Sequence, residues 1–124
     1  MFDNDPASRK LGIELIELGT GTATMTMSIT ADMINGHGMT HGGYVFILAD
    51  TTFAMACNSG DDAAVAARCD IRYLRPTRVG DRLRARAEQR ILFGRNGIFD
   101  VTVWVGNDVI AEFRGDSRSI GANS

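Results

Sequence analysis

Several things are missing from this sequence, and each absence excludes something. No apolar run reaches the roughly 18 residues that cross a bilayer as a helix without meeting a charge, so no membrane-spanning segment is expected. The opening residues, MFDNDPASRK, lack the basic stretch followed by an apolar one that marks an export signal, and a cytoplasmic protein is expected. Cysteine is limited to Cys57 and Cys69. Both fall in segments that read as buried, so they are expected as free thiols and not as a disulfide. Repeats, low-complexity tracts and linkers are absent. Lysine is absent from residue 68 onward.

What remains is an ordinary globular composition. At 124 residues, 44% hydrophobic and 23% charged, the chain can bury a core of its own. One domain over residues 1–124 is expected, with a loose or helical lead over 1–10 and a C-terminal tail over 117–124. The net charge of −2 is unevenly spread. Residues 1–67 hold two basic residues against eight acids, and residues 68–124 hold eleven arginines against seven acids. Arginine forks suit phosphate oxygens. They also suit solvated strand faces, and both readings stay open here. No nucleic-acid partner is expected.

Periodicity places the elements. LGIELIEL is a short strand. TATMTMSI alternates Ala23, Met25, Met27 and Ile29 against Thr22, Thr24, Thr26 and Ser28, the pattern of a half-buried strand. Residues 42–58 form a helix that is apolar on every side and so is expected to be surrounded by protein, with Asn58, Ser59 and Gly60 as its stop. Four more strands follow. In the first, Val65, Ala67, Cys69, Ile71 and Tyr73 should share one face against Arg68, Asp70 and Arg72. The fold class is α+β: one long helix lying in the curl of an antiparallel sheet of five to six strands.

The chemistry concentrates at NGHGMTHGG and the helix behind it. Gly42 and Gly43 fall where the helix begins, with unpaired N–H groups and a partial positive charge. Glycine is costly in a helix, by roughly 1 kcal/mol against alanine, and makes sense where something must approach the backbone closely. A carbonyl oxygen aimed at those N–H groups would be polarised as in an oxyanion hole. Tight packing of the loop is the alternative use. Asp50 then stands in the middle of the apolar helix, with Phe46, Ile47, Phe53 and Ala54 as its neighbours one turn away. A buried carboxylate must be paired, hydrogen-bonded or protonated, or else be kept for use as a base or nucleophile. Gly42 and Asp50 are eight residues apart, about 12 Å along the axis, too far to serve one carbonyl. Two antiparallel helices from a two-fold dimer would solve this by bringing the Gly42 end of one to Asp50 of the other. His37 and His41 are four apart, but the glycines around them argue against a helix there and no third ligand is apparent, so no metal is expected. His41 instead suits positioning, and Asn35 offers an amide to a water or a carbonyl.

The pattern N-G-H-x-x-x-H-G-G-x(6)-D, with CDIRYLRPTRVGDRLRARA and FRGDSRSIG, resembles the hotdog-fold acyl-CoA thioesterases of phenylacetate degradation, the PaaI type. The resemblance covers roughly residues 6–121. It implies a hotdog fold, dimers with a continuous sheet and usually tetramers of two dimers. It also implies hydrolysis of an acyl-CoA thioester, with coenzyme A as part of the substrate and no cofactor. By position it implies that Asp50 activates water or attacks, that the Gly42 N–H polarises the thioester carbonyl, and that Asn35 and His41 support them. It implies that Arg75, Thr77 and Arg78, with Gly94, Arg95 and Asn96, meet coenzyme A. Arg68 departs from the usual small or polar residue and could contact coenzyme A or narrow the acyl pocket. Met39, Tyr44 and Phe46 could line that pocket, for which a (hydroxy)phenylacetyl group is the first choice. A hotdog enoyl-CoA hydratase or dehydratase and a non-catalytic acyl-CoA-binding module are the alternatives. The former usually carries an HFPxxP-like segment, absent here, and the latter would not need Asp50.

If the arginine excess serves coenzyme A, Arg75→Ala combined with Arg95→Ala should raise KM for an acyl-CoA far more than it lowers kcat. Contacts to a remote part of a substrate hold ground and transition states alike. Added salt should reproduce the effect in steady-state kinetics of the unmodified protein.

Overall fold

The computed structural model describes residues 5–60 and 62–122. A short helix, α1 (Pro6–Lys10), leads into β1 (Glu14–Gly19) and β2 (Thr22–Ser28). A 3-10 turn at Ala31–Met33 and the glycine-rich loop precede the long helix α2 (Gly42–Cys57). Then come β3 (Asp62–Tyr73), β4 (Arg82–Phe93), β5 (Asn96–Val105) and β6 (Asp108–Ala122). The six strands form one sheet in the order β1-β2-β4-β5-β6-β3, antiparallel throughout. This is the hotdog arrangement, and β1 and β3 are its two edges. The first four residues of the expected lead lie outside the described residues. The expected tail over 117–124 is corrected: β6 continues to Ala122, because Ser117 and Ser119 pair with Ala66 and Ala64 of β3.

The core follows from strand alternation. Met25 and Met27 of β2, Leu83, Ala85 and Ala87 of β4, Phe99, Val101 and Val103 of β5, and Ala111 and Phe113 of β6 all face inward and are buried. They close on Leu48, Ala49, Thr52, Phe53 and Ala56 of α2. Phe53 lies against two rings, edge-to-face with Phe99 at a centroid distance of 5.6 Å and tilted against Phe113 at 5.7 Å. The helix stops as expected. The Asn58 side chain donates to the Ala54 carbonyl, and its amide both accepts from Ala64 N–H and donates to Ala64 C=O, which pins the helix end to β3.

Two expectations are corrected. The threonine face of β2 is not bare, since Thr24 and Thr26 are buried beneath Arg86 and Arg82, which donate to their hydroxyls at 3.1 and 2.6 Å. Arg82 also pairs with Glu14 and Arg86 with Glu17, while Arg84 stacks over Trp104 at 4.4 Å. These three arginines cover a sheet face. The inward set of β3 also differs. Ala66 pairs with Ser117 and Arg68 with Asp116, so Ala67 is the extra residue of a β-bulge. The bulge shifts the phase: Val65 joins Arg68 on the outer face, and Ala66 joins Cys69, Ile71 and Tyr73 on the inner one. One chain by itself covers only part of α2. Tyr44, Ile47, Asp50, Ala54 and Cys57 form a half-buried stripe along it, because the sheet's curl covers only part of the helix.

Gly115 sits directly opposite Phe53, and a Cβ there would meet Phe53 Cζ at 2.7 Å. Gly115→Ala should therefore cost about 1–3 kcal/mol, the usual penalty of overpacking. Urea unfolding at fixed protein concentration measures it.

Candidate active site

The loop before α2 is tied down at several points. The Asn35 side-chain oxygen accepts the N–H groups of His37 and Met39 at 2.8 and 3.2 Å. Asn35 N–H donates to Met39 C=O, and Ile34 bridges Thr40. Gly38, at φ +75°, makes the turn that an L side chain would strain. The amide oxygen of Asn35 is thus spent on the loop, leaving its NH2 to donate outward. Thr77 is 3% exposed and bonds to Thr40, whose N–H and hydroxyl both donate to the Thr77 carbonyl. The Thr77 side chain therefore joins the loop to the β3–β4 connection and does not face solvent.

His41 is the N-cap of α2, exposed, with its N–H donating to Met33 C=O. Its imidazole makes no hydrogen bond among the described residues. Gly42 and Gly43 open the helix, and their N–H groups reach no acceptor among the described residues, as the geometry of a first turn requires. Gly42 lies beneath Tyr73, whose hydroxyl donates to the Gly42 carbonyl at 2.9 Å. Both reasons for a glycine hold here: the first turn is open at Gly43 and packed against a ring at Gly42. A cleft of about 470 Å³ opens beside them, lined by Asn35, Met39, Gly42, Tyr73, Arg75 and Ile110, among others.

Asp50 lies two turns further on. No arginine pairs with it among the described residues. Its hydrogen-bond partner is the Cys69 thiol, with Sγ 3.9 Å from Oδ1, a weak contact. Burial raises its pKa above the ordinary carboxylate value. The Cys69 contact opposes that shift, and the nearby Asp5 adds to it. Burial pushes both thiols, Cys57 and Cys69, up to about 11, so they stay protonated, free and unreactive at neutral pH. α1 is anchored next door, where the Ser8 hydroxyl bridges Asp5 and Thr51 at 2.7 and 3.0 Å.

The remaining expected residues are dispersed. Arg75 lines the Gly42 cleft and pairs with Asp108 at 2.9 Å, both exposed. Arg78 is exposed on the same connection. Gly94, Arg95 and Asn96 line a second cleft, of about 180 Å³, with Cys57, Ser59, Ser117 and Ser119. That cleft is at the opposite end of α2, and sixteen residues of helix span about 24 Å. Arg68 is exposed on the outer face of β3. Met39 reaches the Gly42 cleft, whereas Tyr44 and Phe46 pack against the core, Phe46 edge-on to Phe113 at 5.5 Å. Sequence reasoning missed two contacts, Tyr73 on Gly42 and Cys69 at Asp50. The only signal for either was membership of the inward-facing set of β3, which reads equally well as core.

The raised pKa of Asp50 has a consequence for stability. Between the ordinary carboxylate value of 3.8 and the raised one, the folded state binds more protons than the unfolded state. Stability is thus lost as pH rises through that window. Asp50→Asn should stabilise the protein at neutral pH, and the gain should fade as pH drops toward 3.8. Chemical denaturation across pH measures it.

Residues 37–112 match the family model described as thioesterase superfamily. The acyl-coenzyme A thioesterase PaaI of Escherichia coli K12 is 45% identical over 122 residues, covering 98% of this chain and 87% of that protein. The E. coli PaaI structure, from the phenylacetic acid degradation operon, superposes with a TM-score of 0.97 over 99% of this chain and 90% of that one. A point variant of the phenylacetic acid degradation protein PaaI from Thermus thermophilus gives 0.88 at 36% identity, over 92% of this chain and 98% of that one. With the expected loop-and-helix pattern in place on the expected fold, the chain belongs to the thioesterase superfamily, in its PaaI branch.

Proposed function

We propose that this protein hydrolyses acyl-CoA thioesters to free acid and coenzyme A, with (hydroxy)phenylacetyl-CoA or a related aryl thioester as substrate. The observation that carries the reading is the pairing of two incomplete halves on one rigid helix. Among the described residues, Asp50 is a partly desolvated carboxylate with no cation beside it, kept basic and held by a thiol alone. Gly42 and Gly43 are unspent N–H donors about 12 Å away along the same axis. A second protomer completes both halves. The half-buried stripe of α2 and the bare edge of β3 are the surfaces that a two-fold partner would cover, extending the sheet across the interface. Antiparallel helices then set Asp50 of one protomer against the Gly42 end of the other.

In this arrangement the thioester carbonyl points at the helix N-terminus, where negative charge develops on its oxygen. Asp50 deprotonates a water for attack at the carbonyl carbon, or attacks the carbon itself and is released by water. The carbon–sulfur bond breaks and coenzyme A leaves as the thiol. The Asn35 NH2 and the exposed His41 steady water and thioester. The same pairing of protomers explains the separated clefts: Arg75 and Arg78 at one end of α2 come near Arg95 and Asn96 of the other protomer, forming one cationic path for the phosphates of coenzyme A. Met39 faces the acyl group, with Tyr44 and Phe46 behind it. Association of such dimers into a tetramer follows the family's habit.

Thiol release from phenylacetyl-, benzoyl- and straight-chain acyl-CoA tests the reaction, and Asp50→Asn should lower turnover about 10²–10⁴-fold. The shared site has its own test. Asp50→Asn and Gly42→Val are mixed unfolded and refolded together. About half the dimers are then mixed, each with one intact site, so about a quarter of wild-type activity should return. Mixed dimers with no activity above either parent would place both groups of each site in one chain.

A further inference from the structure

The hydrogen bond from Tyr73 to Gly42 does more than pack two elements together. It joins residues 31 apart in sequence, yet Tyr73 remains 52% exposed, so the contact buries little. The Gly42 carbonyl already has a place in the helix's own i to i+4 ladder, so the fold does not need the extra donor. The carbonyl oxygen of Gly42 and the N–H of Gly43 belong to one peptide group. A donor on the oxygen draws electron density toward it and makes the N–H a better donor in turn, the cooperativity of hydrogen-bond chains, about 10–30% per bond. The Gly43 N–H is free to use that gain. It sits in the first turn, where no intrahelical acceptor exists, and a Cβ on Gly43 would meet nothing within 4 Å. The Gly42 side is the reverse: a Cβ there would strike Tyr73 Cζ at 2.9 Å, so the ring fixes how the first turn sits.

Building on the thioester-hydrolase reading, we propose that Tyr73 is a positioning residue that locks the first turn of α2 and polarises the Gly42–Gly43 peptide. The Gly43 N–H then joins that of Gly42 as a second donor to the oxyanion. Tyr73 touches no reacting atom and acts through the peptide. Partial burial raises the pKa of its hydroxyl above the ordinary value, so it remains a donor at neutral pH.

Tyr73→Phe keeps the ring and removes the donor. It should lower kcat about 2–8-fold, about a tenth to a third (on the logarithmic scale) of what one oxyanion-hole donor contributes, and leave KM within about twofold. In isotopically labelled protein the Gly42 carbonyl carbon resonance should shift and the Gly43 amide proton should move upfield. Placing 3-fluorotyrosine at position 73 should restore kcat. An unchanged kcat, or a loss confined to KM, overturns the proposal even if the resonances move. A kcat loss without any shift at Gly42 or Gly43 overturns it too. If the unmodified protein releases no thiol from any acyl-CoA tested, the hydrolase reading fails and the catalytic role falls with it, while the resonances still report whether Tyr73 sets the peptide.

Discussion

Desolvation of the Asp50 carboxylate is the constraint around which the rest is arranged. A charge moved out of water costs free energy that a cation or several strong donors could return, and the described residues supply neither. A thiol is a poor donor, so Cys69 opposes the shift without cancelling it, and Asp5 pushes the same way as burial. The fold tolerates this because the carboxylate lies on the half-buried stripe and keeps some contact with solvent. It also tolerates it because the opposite side of α2 is packed thoroughly, with Phe53 set among Phe99 and Phe113. A well-filled core on one side of a helix allows a poorly satisfied group on the other.

The glycine-rich loop answers a second demand. Donors at a helix start are useful to a ligand only if they are neither satisfied internally nor free to wander. Here the unspent N–H groups of Gly42 and Gly43 are framed by bonds that involve every neighbour except them. Asn35 closes the loop on itself, Thr40 and Thr77 tie it to the β3–β4 connection, and His41 N–H reaches back to Met33. Flexible residues thus build a stiff frame, because glycine supplies turns that other residues would resist and the hydrogen bonds then hold them.

Much of this was legible from the residues alone. The alternation of Met25 and Met27, the helix start at Gly42 and stop at Asn58, and the oddity of Asp50 in an apolar run are local signals governed by local physics. The distance argument between Gly42 and Asp50 needed only the rise of a helix. What escaped was long-range or irregular. The bulge at Ala67 left no mark in composition, yet it turned Val65 outward. Thr77 reads as a polar loop residue until Thr40, 37 positions away, is known to face it. Arg82 and Arg86 look like free cations until Thr26 and Thr24 lie beneath them. Cys69 and Tyr73 read as core, since the alternation that turns them inward says nothing of what they meet there.

Two contacts of the inner face of β3 bear on the site in α2. Cys69 stands at Asp50 and Tyr73 stands at Gly42. Four residues of strand rise about 13 Å, and eight residues of helix rise about 12 Å. The two scales run in opposite directions and agree at both marks, because two residues of strand advance about as far as four of helix. No bulge interrupts β3 from Cys69 to Tyr73, although two register shifts occur before it. Irregularity is therefore permitted upstream, where it costs only a change of facing. A single residue gained or lost between the marks would leave one end of the site aligned and carry the other away by a full strand step.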